Sequence, residues 1–426
     1  MRLLDTRVTN SPYYDDFRRL EGRIEIESRN HVLNYAFDFP ADLEGDLSED
    51  IDGWALLMLP LAVYFNEPLR LTRPIDGLML ENLHGLQRLW AFWYPELHVV
   101  EIEAPQVHAH RAPDPKGKTI VCFSGGVDSL FTFFRHNTQV RGNGHGVIDE
   151  LLCIAGLMTS IEDISALRRE FEAAATRFGK RLVPIVADFR YRDHGLKTPY
   201  SVAFGEWWEN MAHGPAIAAP VHFFAPRYKE LLIPSSFDLS DFMPWGSHMM
   251  TDPLFASSHL GVTHDGAVWN RTERIAFVGE HEGALDLLHV CGQDRQDGNC
   301  SVCEKCLRTM AMIDLLGLRD KAPTFDWSKF TMERLSHVWF GEKAVAAANK
   351  ESCFREIARE ARTRGRRDIA DAAMRAIAYS RRKRRVLALI RSNPLTAGAW
   401  ALARRWRPPQ ALTAKDIAGK PLHGGT

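Results

Sequence analysis

The clearest order in this chain lies between Thr119 and Phe237. Short continuous apolar runs alternate there with longer stretches whose apolar residues recur every three or four positions. The runs "TIVCF", "ELLCIAG", "RLVPIVADF" and "KELLIPSSF" have the length and composition of buried strands. Between the second and third, Ile164, Leu167, Phe171, Ala174 and Phe178 fall on one helical face, and Gly179 follows where a helix commonly stops. Strands separated by helices predict an α/β fold with a parallel sheet and right-handed crossovers, and ligands of such sheets bind beyond the carboxyl ends of the strands.

Earlier in the chain, "GRIEIESR" and "LHVVEIEAP" read as strands, and the stretches Trp54 to Phe65 and Leu78 to Trp93 read as apolar helices. "WALLMLPLAVYF" is too short to cross a bilayer and predicts a buried helix. The segment "HAHRAPDPKGK" has the prolines, glycine and charges of a linker. His108 and His110 lie on it with no third ligand nearby in sequence, which favours a solvated linker over a metal pair. Three segments follow: a small α/β module over 1–115, an α/β core over 116–320, and a helical, Arg- and Ala-rich region over 321–426 that ends in "IAGKPLHGGT". No internal repeat is visible. The opening "MRLLDTRVTNSPYYDD" turns polar and acidic before any apolar region of signal length, so a cytoplasmic protein is expected.

The formal net charge of -1 hides an uneven distribution. Arg355 to Arg407 carries 16 Lys or Arg against 4 Asp or Glu, including "RRKRR" at Arg381 to Arg385. This is either a solvated helical face packed on an acidic body or a surface for nucleic acid or another polyanion. Being far in sequence from the Gly-rich loop described next, it is expected to be dispensable for turnover.

The run TIVCF leads into Ser124-Gly125-Gly126-Val127-Asp128-Ser129, with a helical pattern after it. Two glycines let the backbone turn sharply against an oxyanion, and the helix start offers unpaired N–H groups and a positive dipole end. Ser124 and Ser129 can add hydroxyl donors. Asp128 can cap the helix or help hold Mg²⁺ through water. The other common phosphate loop, G-x-x-x-x-G-K-[ST], is not met by "GKT" at Gly117 to Thr119, because Ala112 replaces its first glycine and the segment precedes the strand.

Four of the seven cysteines crowd into sixteen residues. Cys291, Cys300, Cys303 and Cys306 follow the order C-x8-C-x2-C-x2-C, so three thiolates converge on one ion and the longer loop brings in the fourth. A closed set of four thiolates predicts a structural Zn²⁺, with an iron–sulfur cluster as the alternative. Cys122, Cys153 and Cys353 stand apart and read as packing residues.

The sextet SGGVDS after an apolar strand resembles the PP-loop of the ATP pyrophosphatase superfamily. Its pairing with the cysteine spacing and the following Leu307-Arg308 resembles the 7-cyano-7-deazaguanine synthase family, over roughly residues 118 to 320. The resemblance implies a Rossmann-like core that binds ATP and Mg²⁺ and cleaves ATP to AMP and pyrophosphate. It implies that Ser124, Asp128 and Ser129 act in catalysis, that Ser124 to Ser129 hold the phosphates, that Ile154 to Gly156 lie near the adenine, and that Ser235 lies near the ribose or phosphates. It also implies a deazaguanine-like or other carboxylate acceptor, with ammonia or another amine as the second substrate. Such an enzyme makes an acyl-adenylate that an amine then attacks, so no covalent nucleophile is needed, and the sequence displays no triad or nucleophile elbow.

The chain departs from that family in three places. Flanking regions of about a hundred residues are added at each side, "MAHGPAIAAP" lacks the family's Arg-Asn element, and "PWGSHMMTDPLF" does not match its substrate loop. His213, His248 and Asp252 are pocket candidates by position. Other readings remain: a nucleotide-binding scaffold without turnover, a tRNA-thiolating enzyme of the same superfamily, and a homo-oligomer of either kind.

Overall fold

A computed structural model describes residues 1–109, 112–138, 147–157, 164–201, 207–241, 243–291, 298–342 and 344–392. The chain divides into two compact units, Met1–Ser124 with Asp128–Val268, and Gly125–Val127 with the residues from Trp269 onward.

The first unit is built on one sheet, which holds ten strands among the described residues. Five form a continuous parallel block: β8 (Lys118–Cys122), β9 (Glu150–Ala155), β10 (Arg181–Asp188), β11 (Tyr228–Pro234) and β12 (Gly261–Asp265), in the order β12-β11-β8-β9-β10. The first four coincide with the apolar runs of the sequence. β12, "GVTHD", is too short and polar to stand out in it. The chain moves outward from β8 to β9 and β10, then returns to the other side of β8 for β11 and β12. In open α/β sheets such a reversal, here between β8 and β11, is where ligands bind beyond the carboxyl ends of the strands. Helices α3 (Val127–Thr138) and α4 (Ile164–Arg177) follow β8 and β9. Phe171 and Ala174 of α4 are buried, and Gly179 has a left-handed φ of 63° at its end.

The amino-terminal strands β1 (Arg2–Asn10), β2 (Phe17–Ile26) and β3 (His31–Pro40) continue this sheet as an antiparallel meander, so one sheet spans both sides of the expected 115/116 boundary. β3 pairs with β10 through Val186↔Asp38, Ala187↔Phe37 and Asp188↔Ala36. A buried ion cluster marks the seam. Arg19 makes a bidentate contact to Asp38, with both bonds at 2.8 Å, and reaches Asp188 at 2.8 Å, while Tyr13 donates to Asp188 at 3.0 Å. The two-residue strands β4 (Leu69–Arg70) and β6 (Ile102–Glu103) extend the far edge, and β5 (Ile75–Asp76) pairs with β7 (Val107–His108) in a separate ladder. The "LHVVEIEAP" stretch therefore contributes only two strand residues.

Helices α1 (Asp52–Phe65) and α2 (Gly77–Trp93) match the expected apolar stretches. All but one residue of α1 is buried, which explains why its sequence is apolar on every side. Among the described residues no helix is long and apolar enough to cross a membrane. Trp54 of α1 lies so close to β2 that a Cβ at Gly22 would meet its ring at 2.4 Å, and glycine is what permits this approach. A further α-helix of this unit is α5 (His213–His222).

The second unit is mainly helical: α6 (Arg271–Gly279), α7 (Glu304–Leu315), α8 (Met332–Ser336), α9 (Ala344–Thr363) and α10 (Arg367–Ser392). Asn270 and Glu273 form a reciprocal capping box on α6. Glu356 of α9 accepts from the N–H and hydroxyl of Thr272, both at 2.9 Å. Phe354, Ile357 and Ala361 of α9 and Ile369, Ala373 and Ala376 of α10 are buried, so the basic helices carry part of this unit's core. The expected tail "IAGKPLHGGT" lies outside the described residues.

Candidate functional site

The Gly-rich loop connects β8 directly to α3. Phe123 N–H, just after β8, donates to Leu152 O of β9 at 2.7 Å, and Gly125 then takes a φ of 69°, a left-handed conformation that an L side chain would strain. The turn delivers Val127 as the first helical residue, so the N–H groups of the first turn of α3 face the end of β8. Ser129 Oγ accepts from Ser124 N–H at 3.3 Å and lies 3.4 Å from Ser124 Oγ, which ties the two serines together across the glycines. The carbonyl of Gly125 accepts from His289 N–H at 2.8 Å.

Asp265, the last residue of β12, anchors α3. Thr132 Oγ1 donates to it at 2.8 Å, His136 Nε2 lies at 3.0 Å, and Arg135 pairs with the same carboxylate. Burial would raise the pKa of Asp265, but the hydrogen bond to His136 and the charge of Arg135 outweigh it and hold the group below the ordinary carboxylate range.

The carboxyl ends of β11 and β12 carry a second constellation. Ser235 follows β11, His264 lies on β12, and Asp252 comes from the intervening loop. His264 Nε2 is 2.8 Å from Ser235 Oγ, and His264 Nδ1 is 2.7 Å from Asp252 Oδ2. Asp252 also accepts from Ser247 Oγ at 2.7 Å and from His248 N–H at 2.9 Å. A carboxylate ringed by donors keeps the proton on the nitrogen facing it and leaves Nε2 to exchange a proton with Ser235. The Ser235 hydroxyl has a competing acceptor in Phe237 O, 2.5 Å away. The sequence displays no triad, yet the fold assembles a Ser-His-Asp relay. Its chain order Ser, Asp, His was legible, but the missing nucleophile-elbow motif and the unrecognised strand β12 hid it.

The other candidates are placed as follows. Gly156 follows β9 with a φ of 84°. His248 joins the Asp252 cluster, with Nδ1 accepting from Met250 N–H at 3.1 Å, and burial lowers its pKa. His213 does not join it by any hydrogen bond: its Nδ1 meets Trp208 O at 3.0 Å, and burial lowers its pKa to about 4. Arg190, which sequence reading did not single out, is a half-buried cation just after β10. It contacts Leu157 O and stacks on Trp208, 3.6 Å from the ring centroid, and burial lowers its pKa to about 10.

In the second unit the four cysteines converge as the spacing predicts. Their sulfurs all lie within 4.8 Å of one another, with Cys291–Cys303 at 3.9 Å and Cys300–Cys306 at 3.8 Å. Four sulfurs about 2.3 Å from a central Zn²⁺ stand about 3.8 Å apart in a tetrahedron. The separations therefore fit one ion and are too long for a disulfide. In an iron–sulfur cube each cysteine binds a different iron, which requires wider spacing. Cys303 N–H donates to Cys300 Sγ at 3.3 Å, and the hydrogen bond with Cys306 holds the Cys303 thiol down at about 5. The cluster can hold a zinc ion. Cys122 and Cys353 have thiol pKa values raised by burial, as packing residues should.

The basic run lies on α10 and is partly neutralised within its own unit. Glu351 pairs with Arg355 at 2.7 Å and takes Arg381 at 2.9 Å, Glu342 pairs with Arg391, and Lys383 sits 4.9 Å above Trp339. Comparison with known proteins adds no relative to this picture: no family model, no curated protein and no solved structure matches the chain.

Proposed function

We propose that the chain is an ATP-dependent adenylating enzyme that cleaves ATP between the α and β phosphates and activates a carboxylate for attack by ammonia or another amine. The observation that carries this reading is the strand, Gly-rich turn and helix of β8, SGGVDS and α3, set at the point where the strand order reverses. The backbone of Gly125 and Gly126, the start of α3 and the hydroxyls of Ser124 and Ser129 would hold the departing pyrophosphate. Asp128 would hold Mg²⁺ through water, and the metal would neutralise charge on the transferring phosphates. Arg190 supplies a desolvated positive charge at the same sheet end. The relay of Ser235, His264 and Asp252 supplies a proton acceptor for the attacking amine, which must lose a proton as the C–N bond forms. A deazaguanine-like acid is the first acceptor to test, and the basic helix remains a candidate nucleic-acid contact.

The relay also favours a second reading, a serine acyl-transferase with Ser235 as nucleophile. The burial of Ser235 and its hydrogen bond to Phe237 O weigh against it. Incubation with ATP, Mg²⁺, ammonium and candidate carboxylates, followed by separation of nucleotides, tests the first reading. AMP and pyrophosphate support it, whereas ADP as the main product, or no nucleotide binding, overturns it. Labelling of Ser235 by a fluorophosphonate would favour the second.

A further inference from the structure

A second group of metal-ligating side chains lies in the first unit, built from parts of the chain that sequence reading kept separate. Asp50 and Asp52 stand at the start of α1, and His259 precedes β12. The ligand atoms of these three residues all lie within 4.8 Å of one another. His259 Nε2 is 3.9 Å from Asp52 Oδ2, and His259 Nδ1 is 3.8 Å from Asp76 Oδ2. His108 of the expected linker approaches from outside, its Nε2 3.2 Å from Asp50 Oδ1.

Two independent features separate this group from an ordinary surface ion pair. The first is Asp52 Oδ2. The Asp52 side chain is only 2% exposed, its Oδ1 accepts from Asp76 N–H at 3.0 Å, and its Oδ2 has no hydrogen-bond partner while pointing into the cluster. A buried, unsatisfied carboxylate oxygen is costly unless a cation or donor reaches it. The second is the placement of Asp76 behind His259, its Oδ2 at ion-pair distance, 3.8 Å, from Nδ1. Asp76 is itself immobilised by Leu78 N–H at 3.0 Å, Met79 N–H at 3.1 Å and Ser258 N–H at 2.8 Å. A carboxylate behind one ring nitrogen, with the other nitrogen facing acidic oxygens, is the arrangement that orients a metal-bound histidine.

We propose that Asp50, Asp52 and His259 bind a divalent transition-metal ion, with Asp76 as the positioning residue for His259. Ligand atoms on one such ion lie about 2.0–2.2 Å from it, so opposite ligands stand about 4.4 Å apart at most. The Asp52–His259 separation already meets that limit, and the cluster needs only a small contraction to close. Two carboxylates and a neutral imidazole match a divalent charge, and imidazole beside carboxylate favours Mn²⁺ or Zn²⁺ over Ca²⁺ or Mg²⁺. Asp50 and His259 are 20% and 18% exposed, which gives the ion an entry path, and three protein ligands leave coordination positions for water or a substrate oxygen. This inference is independent of the adenylation reading.

Mn²⁺ is the appropriate probe, because thiolates select zinc and leave the cysteine cluster silent to it. Zinc-loaded full-length protein is titrated with Mn²⁺, and free Mn²⁺ is followed by electron paramagnetic resonance. One saturable Mn²⁺ per chain is expected. Asp52→Asn and His259→Gln should each weaken it about tenfold or more, and Asp76→Asn should weaken it by about tenfold to a hundredfold. Circular dichroism monitors folding of each variant, and the partly exposed His259 provides the replacement least dependent on the core. The proposal is overturned if the wild-type chain shows no saturable Mn²⁺ binding, or if folded His259→Gln binds Mn²⁺ as the wild type does.

Discussion

His264 bridges the ends of two neighbouring strands: its Nε2 lies 2.8 Å from Ser235 Oγ while its Nδ1 lies 2.7 Å from Asp252 Oδ2. With the carboxylate against Nδ1, Nε2 is the ring nitrogen left to take a proton, and it meets the Ser235 hydroxyl. His264→Gln should therefore fold and still bind ATP, yet lose about 10²–10⁴ in turnover, the usual contribution of a positioned acid or base. Pyrophosphate release under saturating ATP measures this, and an unchanged rate would remove His264 from the chemistry.

Gly125 offers a test of the loop itself. At a φ of 69° a β-branched side chain costs at least about 1–2 kcal/mol and blocks close approach of a phosphate. Gly125→Val should lower ATP affinity much more than it lowers thermal stability. Calorimetric titration with Mg²⁺ and ATP, paired with a melting curve, separates the two effects.

The cysteine geometry predicts one zinc per chain after purification. Cys303→Ser should lose that zinc and destabilise the second unit, because three ligands no longer close the tetrahedron. Elemental analysis gives the stoichiometry. Bound iron, or full stability of the variant, would contradict the assignment.

One buried and one half-buried histidine predict an acid-sensitive fold. Burial lowers His213 and His222 to about 4 from the ordinary 6.5. On unfolding both rings titrate near 6.5, so below that pH the unfolded state binds more protons and stability falls as pH drops from 6.5 towards 4, then levels off with respect to these groups. His222→Gln can keep a donor for Phe255 O, which His222 Nε2 meets at 2.7 Å, while removing one titration. Its denaturant midpoint should change less between pH 7 and pH 5 than that of the wild type.

The basic carboxyl-terminal segment cannot be removed as a block. Truncation after Lys350 deletes Phe354, Ile357, Ala361, Ile369 and Ala373, all buried, and takes away Glu356, which holds the start of α6. The shortened chain should lose the cooperative unfolding of the second unit, which limited proteolysis can follow. The segment thus carries core of its own unit, and whether turnover needs it is read by pyrophosphate release from the truncated chain.

The seam between β3 and β10 is testable through Arg19. Replacing it by Met leaves Asp38 and Asp188 buried without their shared cation, a loss of about 3–5 kcal/mol. Urea denaturation of Arg19→Met measures it.

Periodicity alone determined the first four parallel strands, the apolar helices α1 and α2, and the convergence of the cysteines. Each rests on local spacing: a run of apolar residues, a repeat every three or four, or two-residue gaps between thiolates. SGGVDS was legible for the same reason, since its glycines and helix start are neighbours in sequence. What tertiary structure decided depends on partners far apart in the chain. Nothing local in "HVLNYAFDFP" says that β3 pairs with β10 rather than ending a separate module, because strand pairing is chosen by the side chains that meet across it, here Arg19, Asp38 and Asp188. His264 and Ser235 are 29 positions apart and meet because β11 and β12 are adjacent. Asp50 and His259 meet because α1 packs close to the loop that leads into β12, and only the folded chain brings the expected linker histidine His108 beside Asp50.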